Sequence, residues 1–203
     1  MPGVGVVVND AARAREVLMD GEAFRKDGPG SPGDLWTPVL GPSVLLNMEG
    51  EAHRALRRRL SELFTPSYSQ ALCERVLSEP LAGLADRLQR GAIVDLVDTM
   101  RLMAGAVISE VIGLDVGTGD DAEREWRRLF EQGERIVSMV SLRTRRLSPS
   151  QAEEARSVLD PLGDIAAKAY AAGDESTVMG RMRALGLSGA EARGAAGAFF
   201  LTG

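Results

Sequence analysis

Cysteine, histidine and aromatic residues are scarce in this chain. Of its 203 residues one is cysteine, Cys73, and one is histidine, His53. A lone cysteine excludes an internal disulfide and any thiolate metal cluster, which fits a reducing compartment without demanding one. Aromatic residues make up only 4% of the chain. No uninterrupted apolar stretch approaches the roughly 20 residues that span a bilayer. Residues 1–8 have no positive n-region and too short an apolar run for a signal peptide. Positive charge is not in excess either: 24 Lys plus Arg face 29 Asp plus Glu, a formal charge of −5. That balance is the reverse of a nucleic-acid binder's. The basic clusters at 57–59 and 143–146 read as solvated helix faces. The chain is therefore expected to be cytoplasmic, with neither nucleic acid nor membrane as a partner.

What is present favours helix. Ala, Leu and Arg are plentiful, and 44% hydrophobic with 26% charged residues is ordinary for a globular protein. The length suits one core, so residues 1–203 are read as a single domain. The β-branched run at 4–8 predicts a short strand, and Asp10 then caps a helix over 11–19. Pro29, Pro32, Pro38 and Pro42, with four glycines among them, predict a long irregular loop over 27–43. Helix returns over 51–64. Thr65-Pro66, a cap followed by proline at the first helical position, opens another over 66–90 with a break at Pro80. Residues 92–97 read as strand-like, and Asp98 as the cap of an apolar helix ended by Gly113. In it Leu102, Met103, Ala106, Val107, Ile108, Val111 and Ile112 cover nearly every face, the mark of an enclosed helix. Further helices are expected over 120–142, 149–172, 178–185 and from 189 onward, the second and last opened by capping boxes at Ser148/Gln151 and Ser188/Glu191. The fold class is mainly α with minor β.

One helix carries the most information. On a wheel of about 100° per residue, His53, Arg57, Leu60 and Phe64 fall on one line beside the apolar arc of Ala52, Leu56 and Leu63. Arg54, Arg58 and Arg59 point elsewhere. Arg57 is thus pushed toward the apolar side. There a guanidinium either meets an anion or buries its stem and extends its head into water.

The stretch from Leu45 through His53 to Phe64-Thr65-Pro66 resembles the third major helix of bacterial cytochromes P-450. That helix commonly opens acidic-Pro-Pro-Glu-His, continues with arginines and leucines, and closes on Phe-Thr-Pro; here Gly50 and Ala52 replace more usual residues. The final run Ala-Gly-Ala-Phe-Phe-Leu-Thr-Gly, residues 196–203, resembles the family's oxygen-binding helix, usually Ala-Gly-x-Asp/Glu-Thr, with Thr202 in a variant position. The order of elements resembles the family's over essentially the whole chain.

The resemblance implies a partial cytochrome P-450 fold that ends within the oxygen-binding helix. It implies heme (iron protoporphyrin IX), a small organic substrate oxidised with O2, and electrons from a ferredoxin-like partner. His53 and Arg57 are then expected to hold the heme propionates, with Leu46, Phe64 and Gly203 also at the cofactor. Trp36, Val39, Leu45, Ala198 and Phe199 are expected to line the substrate pocket, with Trp36 alternatively anchoring its loop to the core. Arg54 and Arg58 would face the electron donor. The family's Phe-x-x-Gly-x-x-x-Cys-x-Gly heme loop is not found, and Glu22–Arg25, Glu51–Arg54 and Glu125–Arg128 precede the place where its Glu-x-x-Arg pair belongs. Cys73, inside Ala-Leu-Cys-Glu-Arg, reads as a packing or bystander residue, so no metal ligand is assigned. The expectation is of a truncated, inactive piece of an oxygenase; the competing reading is a non-enzymatic helical module that binds a partner without heme. The apolar helix and the last helix, with Ala195, Ala196, Phe199 and Phe200, are expected to lack partners in this piece.

Overall fold

The structure, a computed structural model, describes residues 6–117, 119–141 and 143–202. Its helices start where a short polar side chain can accept the backbone N–H three residues ahead, the geometry that satisfies an otherwise orphaned donor. Asp10 does this for α1 (Ala11–Met19), Ser31 for α2 (Pro32–Leu40) and Thr65 for α4 (Pro66–Gln89). Asp95 starts α5 (Leu96–Ile112), Ser148 starts α7 (Pro149–Ala172) and Thr177 starts α8 (Val178–Ala184). Ser148 and Gln151 close a reciprocal capping box. Ser188 and Glu191 make the same pair of bonds at the head of α9 (Gly189–Thr202). Two helices lack such a cap: α3 (Gly50–Leu60) and α6 (Asp120–Ser138), the latter with Asp120, Asp121 and Glu123 in its first turn.

Several expectations are corrected. No strand occurs among the described residues, so the minor β component is not found. Residues 6–8 have no regular secondary structure and are exposed, and the rest of the expected first strand lies outside the described residues. The strand-like run at 92–97 splits instead, because Asp95 Oδ1 accepts the Asp98 N–H at 3.1 Å and turns residue 96 into helix. An extended segment without a neighbouring strand has no ladder to join, and a cap competes with nothing. The loop over 27–43 contains α2, since Ser31-Pro32 is a cap plus a first-turn proline. Pro80 does not break α4. Residues 61–64 tighten into a 3-10 turn, so Phe64 leaves the line that His53 and Arg57 share.

The core gathers around α9. It packs on α7, α5, α6 and α8, and Phe200 is 2% exposed. Leu56 and Leu60 of α3 join Ile112, Leu129, Ile136, Met179 and Met182 in the same cluster. Each such side chain contributes about 1.5–3 kcal/mol by leaving water. The last helix therefore has partners within the chain, against expectation: Ala195 and Ala196 are buried and Phe199 partly so. Helix α5 is enclosed as expected over its second half, but Leu96, Val97 and Met100 near its start stay exposed. Helices α1 and α4 have no buried residue, the latter along all 24 of its positions.

Candidate functional site

The candidate site lies at the head of α3, where three segments meet. A short 3-10 turn at Leu45–Asn47 delivers the chain to Glu49, which precedes α3 without capping it. Its carboxylate turns back instead and accepts the backbone N–H of Lys26 at 3.0 Å. The Lys26 ammonium donates to the Leu45 carbonyl at 2.7 Å and lies 3.3 Å from His53 Nε2. Sequence reasoning missed Lys26 and Glu49. Lys26 sits in an irregular segment, where no periodicity indicates which way a side chain points.

His53 is half-buried, and its imidazole is held below its ordinary value of 6.5. Burial is the main cause, followed by the Lys26 charge; Glu49 pulls the other way, and Arg57 and Arg54 add to the depression. The surroundings therefore favour the neutral ring. Arg57 is exposed, with no hydrogen bond or ion pair among the described residues. Its neighbours are engaged. Arg54 and Arg58 both reach Glu51, at 3.0 and 2.9 Å, and remain exposed. Arg59 does not present a free charge: it forks onto Glu191 and also donates to the Gly186 carbonyl, tying α3 to α9. Glu62 accepts a similar fork from Arg181 at 2.6 and 2.8 Å.

The other expected site residues divide. Phe64 and Phe199, placed in different roles from sequence, come together edge to face with ring centroids 5.8 Å apart. Phe64 is 58% exposed, so the pair presents an apolar edge to solvent. Leu45 and Leu46 pack partly buried against the core. Trp36 lies within the core at 9% exposure. Val39 borders a cleft of about 290 Å³ with Leu40, Gly194 and Gly197, while Ala198 is half-buried. Gly203 lies outside the described residues.

A heme needs cationic or donor groups for its carboxylates, an apolar face and an axial ligand. Arg57 and His53, one turn apart, fit the carboxylates, and an unpaired guanidinium fits them best. The Phe64–Phe199 pair fits an apolar edge. The axial requirement is not met by the described residues: Cys73 is exposed in the middle of α4, and no cluster of His, Cys, Asp and Glu suited to a metal occurs there.

No protein-family model matches the chain, and no solved structure matches it. Among curated proteins it is 38% identical over 95 residues to the cytochrome P-450 monooxygenase DoxA of Streptomyces sp. (strain C5). Over that stretch the chain is similar to a cytochrome P-450. The matched stretch is 42% of this chain and 21% of that relative, so the chain spans well under two thirds of the relative's length. No helix among the described residues is long and apolar enough to cross a membrane.

Proposed function

We propose that this chain is the front and middle of a heme-thiolate monooxygenase, folded as one partial domain over residues 1–203 and working in the cytoplasm. The whole protein would oxidise a small organic substrate with O2 and electrons from a ferredoxin-like donor. The observation that carries the reading is Arg57, exposed and without an ion pair among the described residues, one turn from the half-buried His53 on the helix that resembles the family's. Bound heme supplies the oxygen-activating iron. This chain's part is to hold it. The Arg57 fork would hold a carboxylate, each charge-assisted bond contributing about 1.5–3 kcal/mol. The His53 ring N–H adds a neutral donor, and the Phe64–Phe199 edge keeps water from the apolar face. Val39, Leu45, Ala198 and Phe199 would border the substrate, with Trp36 fixing α2 behind them. Arg54 and Arg58, sharing Glu51, leave a net positive patch for an acidic electron donor, an attraction that salt screens.

Hemin titration of the 203-residue chain, followed by its absorption band, tests this reading. Arg57→Leu is expected to weaken binding by about 10-fold or more, and Arg57→Lys to restore part of it because an ammonium lacks the fork. Protoporphyrin dimethyl ester, whose carboxylates are blocked, should bind both variants alike. Equal hemin affinity in the native chain and Arg57→Leu would end the assignment. A second reading, a helical module that binds a partner without heme, draws on the α4 surface that buries none of its own residues and on exposed Leu96, Val97 and Met100. It predicts no carboxylate-dependent porphyrin binding at all.

A further inference from the structure

Lys26 is held more firmly than a surface lysine. Its N–H donates to Glu49 Oε1, its carbonyl accepts the Gly33 N–H at 3.0 Å, and its ammonium donates to the Leu45 carbonyl. The fit at Gly33 is close: a Cβ there would stand 2.7 Å from the Lys26 oxygen. Fixed at both ends, the side chain brings Nζ within 3.3 Å of His53 Nε2. An ammonium has three donors and no acceptor. The contact is a hydrogen bond only when Nε2 carries its lone pair, which puts the imidazole proton on Nδ1.

We infer that Lys26 is the positioning residue of the α3 site, locking His53 in the neutral form protonated on Nδ1, so that Lys26 and Arg57 are the cations offered to a carboxylate and His53 is an oriented neutral donor. The carboxylate's identity rests on the heme reading above; the lock itself is a property of the free chain. Four charged groups bear on His53: Lys26 and Glu49 from the preceding segments, and Arg54 and Arg57 from α3 itself. Three are cations. A second proton on the ring would set a donor against the Lys26 ammonium and break the contact.

The single histidine makes the test direct, because its signals need no assignment. Long-range proton–nitrogen NMR of the 203-residue chain reads the tautomer from the two ring nitrogens, and the titration midpoint from their pH dependence. The expected spectrum at pH 7 has an unprotonated Nε2 and a protonated Nδ1, with a midpoint below 6.5. Lys26→Met should raise the midpoint, since the cation that opposes a second proton is gone, and admit the Nε2–H tautomer, while Lys26→Arg should keep the midpoint low. A native chain protonated on Nε2 overturns the lock whether or not any variant folds; so does an unmoved midpoint in a folded Lys26→Met. Hemin separates the two proposals. With Nδ1 protonated and no hemin bound, the lock stands and the porphyrin reading fails; with Nε2 protonated and Arg57-dependent hemin binding, the lock fails and the porphyrin reading stands.

Discussion

Substituting Gly105 by Ala should destabilise the protein even though alanine is the better helix former. Gly105 lies in α5 where it crosses α6, and a Cβ there would stand 2.2 Å from the Trp126 carbonyl oxygen. That is roughly 1 Å short of ordinary contact. The obstacle is backbone, so no change of rotamer relieves it. Moving α6 would also strain the bond from Trp126 Nε1 to the buried Ser109 Oγ, 3.0 Å long, and Ser109 is itself tied to the Ala106 carbonyl. Overpacking of this kind costs about 1–3 kcal/mol and more when backbone must shift. The helix-propensity gain of about 1 kcal/mol offsets part of it. A net loss of about 1–2 kcal/mol lowers the melting temperature by roughly 2–8 °C for a chain of this size. Gly83→Ala is the internal control. It lies in exposed α4 with nothing within 4 Å of the added carbon, so it should raise stability by about 1 kcal/mol. Thermal denaturation followed by circular dichroism compares the two. If both variants move in the same direction, the close α5–α6 crossing is wrong and the packing of the core around it must be redrawn.

Phe200→Ala should cost about 3–5 kcal/mol, because the ring is 2% exposed in the centre of the core, while Phe199→Ala, at a half-buried position, should cost clearly less; urea titration of both ranks them, and equal losses would contradict the placement of α9. Acid should loosen the α3–α9 junction. The Arg59 fork holds the Glu191 carboxyl below its ordinary 4.5, with the Ser188 bonds assisting against burial. A depressed carboxyl contributes stability that is fully present above its unfolded value and is lost as pH falls through its folded one. Glu191→Gln should therefore flatten the decline in melting temperature below pH 4.5, and an unchanged slope would dismiss the pair.

Local chemistry was legible wherever a signal is carried by neighbours in sequence. Asp10, Thr65, Ser148 and Ser188 start helices as their spacing predicts, because a cap bonds a donor three residues ahead and needs nothing more distant. The same rule explains two failures. The prolines and glycines around Ser31-Pro32 mask its cap-plus-proline signal, and the β-branched run at 92–97 hides the Asp95 cap behind Asp98. The helical wheel put His53 and Arg57 together on one line of α3, and it failed at Phe64 where the helix tightens.

By itself, then, the sequence determined a helical chain, the positions of most helix starts, and the stretch on α3 that resembles a cytochrome P-450. Those depend on contacts within about four residues and on residue identity alone. Tertiary structure alone decided which charges are free. The helical wheel sets Arg57 apart from Arg54, Arg58 and Arg59 but assigns none of them a partner; in the structure Glu51 takes two, Glu191 takes one, and Arg57 has no ion pair among the described residues. It also decided that Lys26, 27 positions before His53, sets that histidine's surroundings. A side chain's charge is written in the sequence, but its partner is chosen by distance in space, and that distance exists only after the helices have packed.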